Sequence, residues 1–213
     1  MKFTFKPGWF LLSAITFLLL QGCTKNITSS YSYPDTRIYI AQRDSTVQYN
    51  TFKTFSVSDS ITIIDNGQTY KSLTTTGQAF IDAMIKYMKQ NGYTLVSNNA
   101  NPDLGINLSY INTTSSSIVD MSSYLDYYSG YWDPSYWGYG GYGYYSPSYY
   151  GTYQINQASL SINILDLKDA VTNGNRIKII WNGLIQGEGI DDPTTADTQI
   201  LHLFQASPYL KAN

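Results

Sequence analysis

Leu104-Gly105-Ile106-Asn107-Leu108-Ser109-Tyr110 alternates apolar and small or polar residues with a period of two, and Ser159-Leu160-Ser161-Ile162-Asn163-Ile164-Leu165-Asp166 repeats the pattern. Successive side chains of a strand point to opposite faces, so each stretch reads as a strand with one apolar face. Ile177, Ile179 and Trp181 begin a third strand that runs to about Gln186. Asn173-Gly174 stands between the last two and favours a tight turn, which predicts antiparallel pairing. Upstream, Arg37–Ala41 and Val47–Val57 read as strands, the second with a slip near Asn50 and Thr51 that suggests a bulge. Ile61–Ile64 and Thr69-Tyr70 flank Asn66-Gly67, a hairpin signal.

Such strands need a layer to cover them. From about Leu73 to Asn91, Phe80, Ile81, Met84, Ile85, Tyr87 and Met88 fall on one side of a helix, with Asp82, Lys86 and Lys89 opposite. Asp82 and Lys86 are spaced for an i,i+4 ion pair, and Gly92 marks the stop. Asp192-Pro193 opens a second helix over roughly residues 195–205. The pattern predicts an α+β fold, a two-layer sandwich in which an antiparallel sheet of four or five strands carries two helices on one face. Phe80, Met84, Ile106, Leu108, Ile162, Ile164, Ile179 and Trp181 are the expected core.

The quoted strand Ser159–Asp166, together with Tyr49–Phe55, Asn101-Pro102-Asp103-Leu104 and Trp181-Asn182-Gly183, resembles the lipoproteins grouped as domain of unknown function 4136, over about Val47–Pro208. The resemblance implies a cell-envelope location and a two-layer α/β unit with an antiparallel sheet. It implies no chemistry, because the family has no established activity.

The first 23 residues carry an address. Lys2 and Lys6 precede an apolar run of 12 residues, Trp9–Leu20, broken only by Ser13 and Thr16. A span needs about 20 apolar residues, so the run reads as the h-region of a signal peptide. It ends in Leu20-Gln21-Gly22-Cys23, which resembles the lipobox of bacterial lipoproteins. That resemblance implies cleavage between Gly22 and Cys23 and acylation of Cys23, the chain's one cysteine. Residues 1–22 are then a leader, 23–36 a lipidated tether and 37–213 the folded domain. Thr24, where an aspartate would imply inner-membrane retention, favours the outer membrane, facing the periplasm.

A Tyr/Gly-rich insert occupies residues 124–153, with 12 tyrosines, 6 glycines and 2 tryptophans in 30 residues. A connection this long between strands is either without fixed structure or functional. Tyr131, Trp132, Tyr136, Trp137, Tyr139 and Tyr142 are its candidate partner contacts, since tyrosine offers wide, stiff area plus a hydroxyl. An envelope protein or a glycan suits such a surface.

The sequence gives no reason to expect catalysis. The lone histidine, His202, falls on the solvent side of the last helix and cannot build a zinc site with one lipidated cysteine. Gly138-Tyr139-Gly140-Gly141-Tyr142-Gly143 matches a dinucleotide fingerprint only formally, with no strand before it or helix after it. Asp166 with Asp169, and Asp191 with Asp192, read as turn and cap residues. A formal charge of −2 without a basic stripe excludes nucleic acid as a natural partner. The expectation is a non-catalytic, lipid-anchored binding or structural protein with no cofactor and no metal; the alternative is a glycan- or lipid-binding module built on the insert, and a hydrolase is less favoured.

Overall fold

The computed structural model describes residues 36–65, 68–112, 117–120, 133–146, 152–155 and 158–212. Cys23, Gly22, Tyr131 and Trp132 lie outside the described residues, as does the predicted turn at Asn66-Gly67.

The domain is α+β. Its elements, in chain order, are β1 (Ile38–Arg43), β2 (Thr54–Val57), β3 (Ile61–Asp65), β4 (Gln68–Ser72), α1 (Thr75–Gln90), β5 (Thr94–Leu95), β6 (Leu104–Asn112), β7 (Ser117–Asp120), β8 (Gly143–Tyr145), β9 (Thr152–Ile155), β10 (Ser159–Asp166), β11 (Arg176–Gln186) and α2 (Ala196–Gln205). The main sheet has nine strands and is mixed, not four or five and antiparallel. Its centre is the expected antiparallel block β1-β11-β10-β6. Each flank of that block is shared by two strand segments. β1 and β8 lie along β11, with β8 parallel. β2 and β3 both run parallel to β6, and they carry β5 and β4 on their far sides. β7 and β9 form a separate antiparallel ribbon.

The predicted slip near Asn50 is a 3-10 turn, Tyr49–Thr51, rather than a bulge. The bulge falls in β11 instead. Ile164 pairs with Trp181 but Leu165 pairs with Ile179, which leaves Ile180 as the extra residue. That insertion reverses the alternation, because side chains on either side of it exchange faces. Ile177 and Ile179 therefore pack on one face of the sheet, while Ile180, Trp181 and Ile185 pack on the other. The bulge carbonyl is well held: Ile180 O accepts from Tyr49 OH at 2.6 Å and from Asp44 N at 2.8 Å.

One face carries the helices. α1 begins at Thr74, whose hydroxyl accepts from Gly77 N at 2.9 Å, and it buries Phe80, Ile81, Met84, Tyr87 and Met88 against the sheet. α2 adds Ile200, Leu203 and Phe204 to the same core. The Asp82–Lys86 pair does not form. Lys86 reaches Asp197 of α2 at 2.6 Å, and Asp82 accepts from Gln78 Nε2 at 2.8 Å. His202 does not point to solvent either. It is half-buried, its ring edge-on to Tyr39 of β1 at 4.7 Å between centroids, because β1 closes the sheet beneath α2.

The opposite face is buried as well, so the domain has more than two layers. Trp137 lies over Gly105 and Leu167, where a Cβ on Gly105 would come within 3.2 Å of the indole. Tyr136, Tyr139, Tyr142 and Tyr144 join Trp137, Leu165, Ile177, Ile179 and Leu184 in a second core. Residues 134–142 of the insert thus form a third layer on the sheet, and residues 143–145 join the sheet as β8. Polar residues mark the middle of this face. Gln42, Asn182, Asn163 and Asn107 stand side by side across four strands, and Asn182 Nδ2 donates to Asn163 Oδ1 at 2.8 Å and Ser161 Oγ at 3.0 Å.

The motifs that resemble the family hold these layers together. Asp103, at the mouth of β6, accepts from Lys53 N and Thr54 N at 2.6 and 3.1 Å and so fixes β2. Its carbonyl accepts from Leu167 N and Lys168 N just beyond β10. Trp181 covers Gly183, and its indole N–H donates to Ser207 Oγ at 3.1 Å beyond α2.

Candidate functional site

The described surface carries a two-compartment cleft built from several elements. An inner compartment of about 200 Å³ is lined by Ile61, Ile63, Phe80 and Leu160, with Thr74, Thr76, Tyr110 and Asp191 at its rim. An outer compartment of about 500 Å³ is lined by Tyr110, Ala158 and the turn Gly187–Asp191. Tyr110 and Asp191 belong to both, so the two hollows meet between these side chains.

Local sequence dictates the shape. Tyr110 is the last helix-side residue before β6 ends at Asn112, where the sheet no longer has a helix above it. The chain leaves β11 through Gly187 and Gly189, whose φ angles of 140° and 66° are open to glycine and strained for other residues. This turn is fastened from two sides. Arg37 donates to Glu188 O at 3.1 Å and to Gly189 O at 2.6 Å, and Thr76 Oγ1 donates to Asp191 O at 2.8 Å. The mouth is acidic. Burial raises the Tyr110 phenol above its ordinary value, and the carboxylates of Asp191 and Asp65 raise it further. It therefore stays protonated at neutral pH, able both to donate and to accept. The arrangement offers an apolar floor, a phenol and a carboxylate at the neck, and a second carboxylate, Glu188, outside.

The predicted contact residues are placed differently. Trp137 is 3% exposed and serves the second core. Tyr139 is half-buried and donates to Leu167 O at 2.7 Å, and Tyr142 stacks against it at 5.3 Å. Tyr136 accepts from Asp59 N at 3.1 Å and borders a hollow of about 660 Å³ between α1 and β5, floored by Ile81, Ile85 and Leu95. Their burial follows from the sheet beneath, which offers them an apolar end to cover. Gly138–Gly143 follows a 3-10 turn and leads into β8, not a helix. Asp166 and Asp192 do hold turns, accepting from Asp169 N at 3.0 Å and Thr194 N at 2.9 Å. Among the described residues, no group of three or more histidines, cysteines, aspartates or glutamates could hold a metal ion, and no helix is long and apolar enough to cross a membrane.

Sequence reading missed the cleft. Its only signals were the chain's one glutamate between two glycines directly after a strand, and a tyrosine closing an otherwise aliphatic row.

A mixed sheet with helices on one side, an aromatic layer on the other and a cleft at the helix-side end defines an α+β domain. Residues 41–209 match the model of the family described as Domain of unknown function (DUF4136), and the chain belongs to that family. The fold is similar to the crystal structure of a DUF4136 family protein from Bacteroides thetaiotaomicron, with a TM-score of 0.68 and 26% identity over 83% of this chain and 98% of the other. No curated protein matches the chain.

Proposed function

We propose that this chain is a lipid-anchored protein of the outer membrane, facing the periplasm, that acts by holding a ligand or partner rather than by turning over a substrate. The observation that carries the anchoring is the register of Leu20-Gln21-Gly22-Cys23 with the end of the apolar run Trp9–Leu20. Each buried acyl CH₂ contributes about 0.8 kcal/mol, so two or more chains on Cys23 hold the protein stably. Support for binding is the Tyr110 cleft, where an apolar floor and a few polar groups at the neck match the usual make-up of a ligand pocket. The glycan reading of the insert is the weaker one, because Trp137, Tyr139 and Tyr142 are turned onto the sheet.

Replacing Cys23 with Ala tests the anchor. The native chain should fractionate with outer membranes and yield an acylated N-terminal peptide by mass spectrometry, and the variant should be soluble. A variant that stays in the membrane overturns the reading.

A further inference from the structure

The inference rests on reading the Tyr110 cleft as a binding site, and it names what the cleft takes. We infer that the cleft binds a small organic cation, an ammonium group on a compact apolar body, with the body against Ile63, Phe80 and Leu160 and the charge at Asp191 and Tyr110.

Three observations lead there. First, the inner compartment is apolar where it is deepest. Phe80 and Leu160 are each 1% exposed and Ile61 3%, so its walls are already desolvated and fixed. An apolar body placed there takes its own surface out of water at little ordering cost to the protein. At about 200 Å³ it admits a ring or a short branched chain, not a long acyl tail.

Second, the neck and mouth are unbalanced in charge. Asp191 and Glu188 line the cleft, and Asp65 stands close enough to act on the Tyr110 phenol. Among the described residues Arg37 lies beside the turn with its guanidinium on the carbonyls of Glu188 and Gly189; it keeps its positive charge but does not line the cleft. The positive end of α1 amounts to about half a unit charge, and the Thr74 hydroxyl already caps Gly77 N. An anion entering the cleft would face the carboxylates; an ammonium would meet them.

Third, the neck has the right polar chemistry for an N–H donor. The Asp191 carboxylate and the protonated Tyr110 hydroxyl both accept, and the tyrosine ring adds an electron-rich face for a cation. The Asp191 main chain is pinned by Thr76, so its carboxylate is carried on a fixed turn.

The test uses the full chain purified in detergent and three probes of one shape: benzylamine, benzyl alcohol and benzoate. Binding is followed by NMR shifts of the methyl groups of Ile63 and Leu160. Benzylamine should bind in the millimolar range, as its size dictates, about fivefold more tightly than benzyl alcohol, with benzoate weakest. Asp191→Asn should remove most of the amine's advantage over the alcohol, and methyl signals of the unliganded variant that match the native ones away from residue 191 show that it is folded. If the alcohol binds as well as the amine in the native chain, or if Asp191→Asn leaves the amine's advantage intact, the ligand class is wrong and the binding site stands. If none of the three moves those methyl signals, the cleft is not a binding site and the reading beneath fails too.

Discussion

The phenol of Tyr49 donates a 2.6 Å hydrogen bond to the carbonyl of Ile180, the residue of β11 left without a partner in β10. A side chain 131 positions upstream thus secures the bulge that lets one strand feed two cores. Tyr49 is 3% exposed, and its own carbonyl accepts from Tyr93 OH at 3.2 Å.

Tyr49→Phe removes that bond but leaves Asp44 N on the same carbonyl. The expected loss is about 1 kcal/mol in urea unfolding, the usual net worth of one buried hydrogen bond. Tyr49→Ala should cost several times more, since the ring is lost with the hydroxyl. Equal midpoints for the native chain and the Phe variant would show that the bulge does not depend on the phenol.

Gly183 lies beneath the Trp181 ring, and a Cβ there would overlap that ring and approach Leu203 Cδ1 to 2.8 Å. Gly183→Ala must therefore shift Trp181 or lift α2. We expect a loss of about 1–3 kcal/mol with red-shifted or broadened tryptophan emission. A stability unchanged to within error would refute this packing.

Trp137→Ala separates the two views of the insert. If the indole is a structural cover for Gly105 and Leu167, its removal costs about 3–5 kcal/mol. If it served only a partner, thermal unfolding would not move. Val171→Ala is the control: Val171 is 62% exposed, so the loss should be within about 0.5 kcal/mol.

Asp166 makes stability depend on pH. Burial pushes its carboxyl up to about 6, and the Asp169 carboxylate adds to the rise. The Asp169 backbone N–H, Lys178 and Lys168 work against it. The folded value lies above the unfolded one, near 3.9, so folding favours the protonated form. The contribution is whole below about pH 4 and is lost as pH rises through 6, with a size on the order of 2 kcal/mol. Asp166→Asn should keep the turn at Asp169 and lose this dependence. Urea midpoints at pH 4.5 and 7 for both chains decide it; an identical pH slope in the two would refute the assignment.

Much of the helix-side layer was legible from side-chain period alone. β6, β10 and α1 lie within two residues of their expected bounds, and the eight expected core residues are all 0–1% exposed, seven of them on the helix side and Ile179, turned over by the bulge, on the other. The reverse face was not legible. Gly105, Asn107, Ser109, Ser161 and Asn163 have the composition of a strand's wet side, and nothing local reveals that amide-to-amide bonds and Trp137 bury them. The parallel strands were hidden for a different reason: β2 and β3 are four and five residues long, and their pairing with β6 spans about fifty positions. The bulge at Ile180 was hidden because a run of Ile177, Ile179, Ile180 and Trp181 supports either phase. The cleft depends on where five separate segments end together, a relation that no window of sequence contains.

β1 pairs with β11 from Ile38 opposite Gln186 to Arg43 opposite Trp181. Partners so distant cannot meet while the chain is still being made, since β11 is synthesised almost last. Tyr39, Ile40 and Ala41 must wait unpaired, an apolar strip open to mispairing in every nascent intermediate. A chain cut short before residue 181 therefore leaves the whole of β1 without its neighbour in the sheet.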